Sequence, residues 1–236
     1  MMFSLAVPSF ISGLFDVEAL IELLLSLPIV ILAICVHEYS HARVAYHFGD
    51  PTAKACGRMT LNPIKHFHPI GFLLLVFAKV GFANPVPINP AYFKNRKRDE
   101  ILVSLAGPAS NLVMALCFTL LLKFYMMFCD AQGLLMVRGE SAYFLSDVAY
   151  YAYMFMASGI LINLSLAIFN LIPLPPLDGS HLLTVLMPKA WKPVYYKLQP
   201  IMPYLFVLVW ITGGLSWLVS TPVNAIMEFL LNAIVF

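Results

Sequence analysis

The run I-L-A-I-C-V-H-E-Y-S-H ends at His41, so His37, Glu38 and His41 form an H-E-x-x-H set. On a helix, residues i and i+4 share a face about 6 Å apart, and two imidazoles there can grip one zinc ion. Glu38 lies one residue along, beside the metal, where its carboxylate can take a proton from a water that the zinc activates. A catalytic zinc takes a third protein ligand and keeps a fourth position open. The candidate is Asp178, in N-L-I-P-L-P-P-L-D-G (170–179). Together these residues predict one Zn2+ per chain and metal-assisted hydrolysis. The plain alternatives are a helix end whose polar residues only reach the membrane interface, and a proline-rich loop carrying a solvated aspartate.

Other polar residues have less specific settings. Asn111 lies in L-A-G-P-A-S-N (105–111), where small residues let helices approach closely, and Asn170 precedes Asp178 by eight positions. Each can donate to a developing oxyanion or simply join helices. His66 and His68 follow the Asn62-Pro63 turn in a basic loop and, like His47, suit a surface or supporting role better than ligation. His181 reads as a supporting or helix-start residue. The stretch A-N-P-V-P-I-N-P (83–90) is expected to be extended, because a residue before proline avoids the helical region. It suits a rigid connector, or a strand edge offered to an unfolded substrate segment. The four cysteines, Cys35, Cys56, Cys117 and Cys129, have no close pairing and read as small buried hydrophobes.

The elements that must position these groups are membrane spans. The chain of 236 residues is 61% hydrophobic and only 11% charged, with a mean hydropathy of +0.86, whereas soluble domains carry about 25% charged residues. That excludes a soluble enzyme, a disordered tail and a secreted disulfide scaffold. A net charge of +2 leaves no basic surface for nucleic acid. Crossing an apolar core of about 30 Å takes roughly 20 helical residues. Four stretches qualify, at about 17–41, 101–122, 148–172 and 201–219. The run 71–83, interrupted by Lys79, suits a re-entrant or short hairpin, and 222–236 is a short apolar tail after Pro222. The expected fold is therefore all-α and polytopic: one membrane-embedded domain over 1–236, with a catalytic core at about 17–185 and an extra C-terminal span at about 201–219. The first Lys or Arg is Arg43, so no cleavable leader is expected. Residues 42–100 and 173–200 hold twelve of the 14 Lys and Arg side chains, which places both segments on the cytoplasmic side if 71–83 dips in and returns. Taking Glu22 as the outer boundary, the 15 residues to His37 rise roughly 22 Å, leaving the site about 8 Å from the cytoplasmic surface.

These landmarks resemble the site-2 protease family of intramembrane zinc metalloproteases. The resemblance rests on H-E-Y-S-H (37–41), L-N-P-I-K-H-F-H-P-I-G (61–71), N-P-V-P-I-N-P (84–90), A-G-P-A-S-N (106–111) and F-N-L-I-P-L-P-P-L-D-G (169–179), which come in the family's order over about residues 30–185. It implies zinc on His37, His41 and Asp178, with Glu38 as general base. It also implies that Asn170 and Asn111 orient substrate or stabilise the tetrahedral intermediate. The partner it implies is a membrane protein with a transmembrane helix; self-association into a homo-oligomer is also open. The chain looks like the compact form without a PDZ domain, and Ser180-His181 stands where many members have a glycine and a basic residue. The implied location is a cell membrane, multi-pass and prokaryotic, with the site near the cytoplasmic side. Rival readings are a non-catalytic zinc-binding protein that holds membrane segments, a protease trimming cytosolic peptides, and a metal transporter. The transporter would need a file of polar ligands that these spans lack.

Overall fold

A computed structural model of the chain describes residues 17–66, 84–138 and 141–235. Its frame is four helices long and apolar enough to cross a membrane, over Leu20–His47, Arg96–Ala131, Asp147–Asn170 and Ser216–Val235. The first three lie in α1 (Val17–His47), α3 (Arg96–Ala131) and α4 (Asp147–Asn170). Short helix α2 (Thr52–Ala55) follows α1. A two-stranded antiparallel hairpin, β1 (Leu135–Arg138) and β2 (Ser141–Phe144), joins α3 to α4. Helices α5 (Asp178–Leu186), α6 (Lys192–Leu198) and α7 (Met202–Ile211) lead to α8 (Gly214–Leu230), which runs on through a π turn at Leu231–Val235.

Interior contacts fix the helix directions. His41 meets Val103 while His37 meets Asn111, so α1 and α3 run antiparallel. Asn111 meets Asn163 while the Tyr125 hydroxyl donates to the Ala149 carbonyl, so α3 and α4 do as well. All three helices contribute to one core with α8: Ile29, Ala115, Phe118, Leu122, Ile160, Leu164 and Val223. Outward faces stay apolar, as at Leu24, Val113, Leu121 and Phe124, which suits contact with lipid chains.

The fourth span differs from the sequence expectation. The apolar run 201–219 is not one helix. It is divided after Ile211, and Gly213 takes a left-handed φ of 76° before α8 begins. Pro222 does not end the C-terminal segment but lies inside α8; membrane helices tolerate proline because neighbouring groups re-satisfy the freed carbonyl. The span therefore falls at Ser216–Val235, absorbing the expected apolar tail. The run 71–83 lies outside the described residues; its flanks are joined, with Asn84 N donating to the His66 carbonyl at 2.8 Å. Cys35 and Cys129 are buried as expected, but Cys56 and Cys117 are exposed. Cys117 is on an exposed face of α3, so its place in an apolar stretch did not mean burial within the protein.

Candidate metal centre

His37 and His41 are on the buried inner face of α1, 7% and 5% exposed. Their ring centroids are 4.7 Å apart and the planes stand at 79°. Asp178 is the first residue of α5, so the loop 171–177 brings it back from the end of α4 to these rings. The His37 and His41 Nε2 atoms are 3.1 Å apart. Asp178 Oδ2 lies 3.1 Å from the first and 3.2 Å from the second. Among the described residues this is the one group of three His, Cys, Asp or Glu side chains that could hold a metal ion.

Proton positions follow from the outer contacts. His41 Nδ1 is 2.7 Å from the Val103 carbonyl, which can only accept, so Nδ1 carries the hydrogen. His37 Nδ1 is 2.6 Å from Asn111 Oδ1, while Asn111 Nδ2 donates to the Ala33 carbonyl and to Asn163 Oδ1. His37 Nδ1 therefore also donates. Both Nε2 atoms then present lone pairs, aimed at each other and at a carboxylate oxygen within 3.2 Å. Three lone pairs converging in this way repel unless a cation lies among them. Tetrahedral zinc with bonds of about 2.0–2.1 Å needs ligand atoms about 3.3–3.4 Å apart. The triangle is within a few tenths of an ångström of that, so the residues fit the ion.

Helix α3 shapes the centre from one face. Val103, Gly107 and Asn111 recur every four residues; the outer two hold His41 and His37, and the glycine between them leaves room. A Cβ at Gly107 would lie 2.3 Å from His41 Nε2 and 2.5 Å from His37 Nε2. Gly179 has a similar role beside Asp178, where a Cβ would lie 2.3 Å from the Leu171 carbonyl oxygen. Asn111 is fully buried, and its amide is engaged by protein groups on both sides. Asn163 extends the chain of bonds by donating to the Gly159 carbonyl. Asn163 did not stand out in the sequence; a carboxamide within an apolar span was the available signal.

Glu38 is half-buried, and its Oε2 accepts from Val86 N–H at 3.0 Å. That amide belongs to the segment 84–89, which has no helix and in which Val86 is buried while Pro85 and Pro87 are exposed. Asn170 donates to the Leu166 carbonyl of its own helix at 2.9 Å, and no hydrogen bond joins it to the triangle among the described residues. His66 is fully buried, not superficial, and its Nε2 donates to the Thr60 carbonyl. His47 and His181 are exposed, and His68 lies outside the described residues.

Comparison with known proteins agrees with this chemistry. The sequence profile of "Peptidase family M50" matches residues 25–212. "Putative zinc metalloprotease YwhC" of Bacillus subtilis (strain 168) is 37% identical over 195 residues, covering 83% of this chain and 84% of that protein. "Putative zinc metalloprotease Rip2" of Mycolicibacterium smegmatis is 33% identical over 155 residues, 63% of this chain and 52% of that protein. The protein of the same name from Mycobacterium tuberculosis H37Rv is 29% identical over 202 residues, 80% of this chain and 70% of that protein. No solved structure matches significantly.

Proposed function

Since the chain belongs to peptidase family M50, the site-2 protease family, and is a metalloprotease, we propose that it cuts peptide bonds in or near transmembrane segments of other membrane proteins, with Glu38 as general base. The observation that carries this reading is the position of the triangle: two of its corners are on the inner face of a helix long and apolar enough to cross a membrane. His37, His41 and Asp178 would hold one zinc ion per chain, which when bound would supply Lewis acidity by lowering the pKa of water and polarising a carbonyl.

The chain's own residues do the rest. Glu38, held on one oxygen by Val86 N–H, has its other oxygen for the proton of the attacking water and returns that proton to the leaving amine. Asn111 and the Val103 carbonyl keep both imidazoles in the tautomer that binds metal. This gives Asn111 a supporting role in place of an oxyanion contact, and leaves Asn170 as the candidate for orienting the scissile carbonyl. The end of the bundle holding His47, Arg96 and Asn170 faces the cytoplasm, in keeping with the concentration of Lys and Arg in 42–100 and 173–200. His37 is then ten residues, about 15 Å, inside the end of α1, within a cell membrane but near cytosolic water.

The test is to map the cut. Purified protein in liposomes with single-span substrates should cleave at a bond within or bordering the span, identified by mass spectrometry. Cuts confined to soluble tails or free peptides would show a membrane-anchored peptidase of another kind.

A further inference from the structure

Twelve residues beyond Glu38, just past the end of α1, Asp50 is fully buried. Its carboxylate is met by neutral donors. Oδ1 accepts from Thr52 N at 2.9 Å and from the Thr52 hydroxyl, and Oδ2 accepts from Asn89 N at 2.7 Å. A buried carboxylate is tolerable when charge-assisted hydrogen bonds replace its water. Capping the turn into α2 would take only Oδ1. The other oxygen holds the same extended segment that Glu38 holds, three residues further along.

This segment needs such grips. Pro85, Pro87 and Pro90 have no N–H, so no continuous ladder can fix it. Among the described residues, three of its four N–H groups have partners: Asn84 meets the His66 carbonyl, Val86 meets Glu38 and Asn89 meets Asp50. Val86 packs with Ala42 and Ala53, and Ile88 against Ala45, Phe93 and Val103. Apolar packing alone permits sliding, whereas polar contacts set the register: the His66 carbonyl and the Arg58 guanidinium hold Asn84 at the start of the segment, and the Glu38 and Asp50 carboxylates hold Val86 and Asn89 beyond it. The two carboxylate grips are about 10 Å apart along an extended chain, so the segment is fixed at both ends of the stretch carrying Val86.

We propose that Asp50 is a positioning residue for proteolysis: by holding Asn89 it keeps Val86 N–H on Glu38 and so orients the catalytic carboxylate. The proposal rests on the reading of Glu38 as general base. Misplacing a catalytic group by about 1 Å can lower a rate by about 100-fold.

Asp50→Asn separates its two functions. Thr52 supplies two donors, so the amide oxygen stays with Thr52 and the NH2 group confronts Asn89 N–H. Thr52→Val removes one donor from Oδ1 and leaves Asn89 held. In the full-length protein, Asp50→Asn should lower kcat by about 10–100-fold, keep KM within twofold and retain zinc. Amide exchange should rise over 84–89 and not in α1 or α3, and Thr52→Val should keep kcat within threefold. Val86→Pro deletes the donor to Glu38 directly and should lower kcat similarly; adding Asp50→Asn to it should then change little. A full multiplicative loss in the double variant, unchanged kcat in Asp50→Asn, or kcat lost only together with zinc would overturn the proposal. Should Asp50→Asn fail to fold, wild-type kcat in Val86→Pro would overturn it as well. Wild-type protein that cleaves nothing would instead overturn the assigned function, while exchange at 84–89 would still report whether Asp50 holds the segment.

Discussion

Replacing Gly107 with alanine tests how the metal centre is built. The new Cβ would lie 2.3 Å from His41 Nε2 and 2.5 Å from His37 Nε2 and Cε1, where ordinary contact begins at 3.4 Å. Rings and helix must therefore part by about 1 Å, the difference between these distances. The bonds from His37 to Asn111 and from His41 to Val103, now 2.6 and 2.7 Å, would stretch past the hydrogen-bond limit. Each such outer partner is worth about 10–100-fold in metal affinity, so the pair gives a loss of about 100- to 10,000-fold, or about 3–6 kcal/mol. Competition with a chromophoric chelator measures it in the purified protein. The helix should not suffer, since alanine is favoured over glycine in a helix by about 1 kcal/mol. Zinc affinity within threefold of wild type, with unchanged or raised thermal stability, would refute the account of close approach.

Asn111→Ala should weaken zinc binding by about 10–100-fold, because His37 loses the acceptor that fixes its tautomer; Asn163→Ala, one bond further out, should cost less than tenfold in the same titration. Gly179→Ala should displace Asp178, since its Cβ would meet the Leu171 and Ile172 carbonyl oxygens at 2.3 and 2.5 Å; full zinc content in the folded variant would contradict this. Substrates whose span carries Gly, Asn or Pro should be cut faster than strongly helical ones, because a helical carbonyl is already paired, and equal rates in a matched panel would sink the idea.

The candidate metal centre was legible because the residues that form it obey local rules. His37 and His41 are one helical turn apart, and Asp178 ends a proline-broken segment that the span count returns to the same side of the membrane. Three spans could be counted from hydropathy. The fourth was misplaced because apolarity does not show where a helix turns: Gly213 breaks a continuous apolar run, and Pro222, a usual stop signal, is accommodated within α8. The supporting contacts were less legible. The alignment of Val103, Gly107 and Asn111 beneath two imidazoles depends on the register between α1 and α3, and Asp50 gains its meaning from Asn89, 39 residues away in the chain. The small residues around Asn111 signalled close approach; they did not show what approached.

The most direct test of the proposed intramembrane cleavage compares wild type, Glu38→Gln and Asp178→Ala for zinc per chain and for cleavage of a single-span substrate in liposomes. Wild type should hold one zinc and cleave, Glu38→Gln should hold zinc without cleaving, and Asp178→Ala should lose both. A folded wild type without zinc, or Glu38→Gln cleaving at the wild-type rate, would contradict the account.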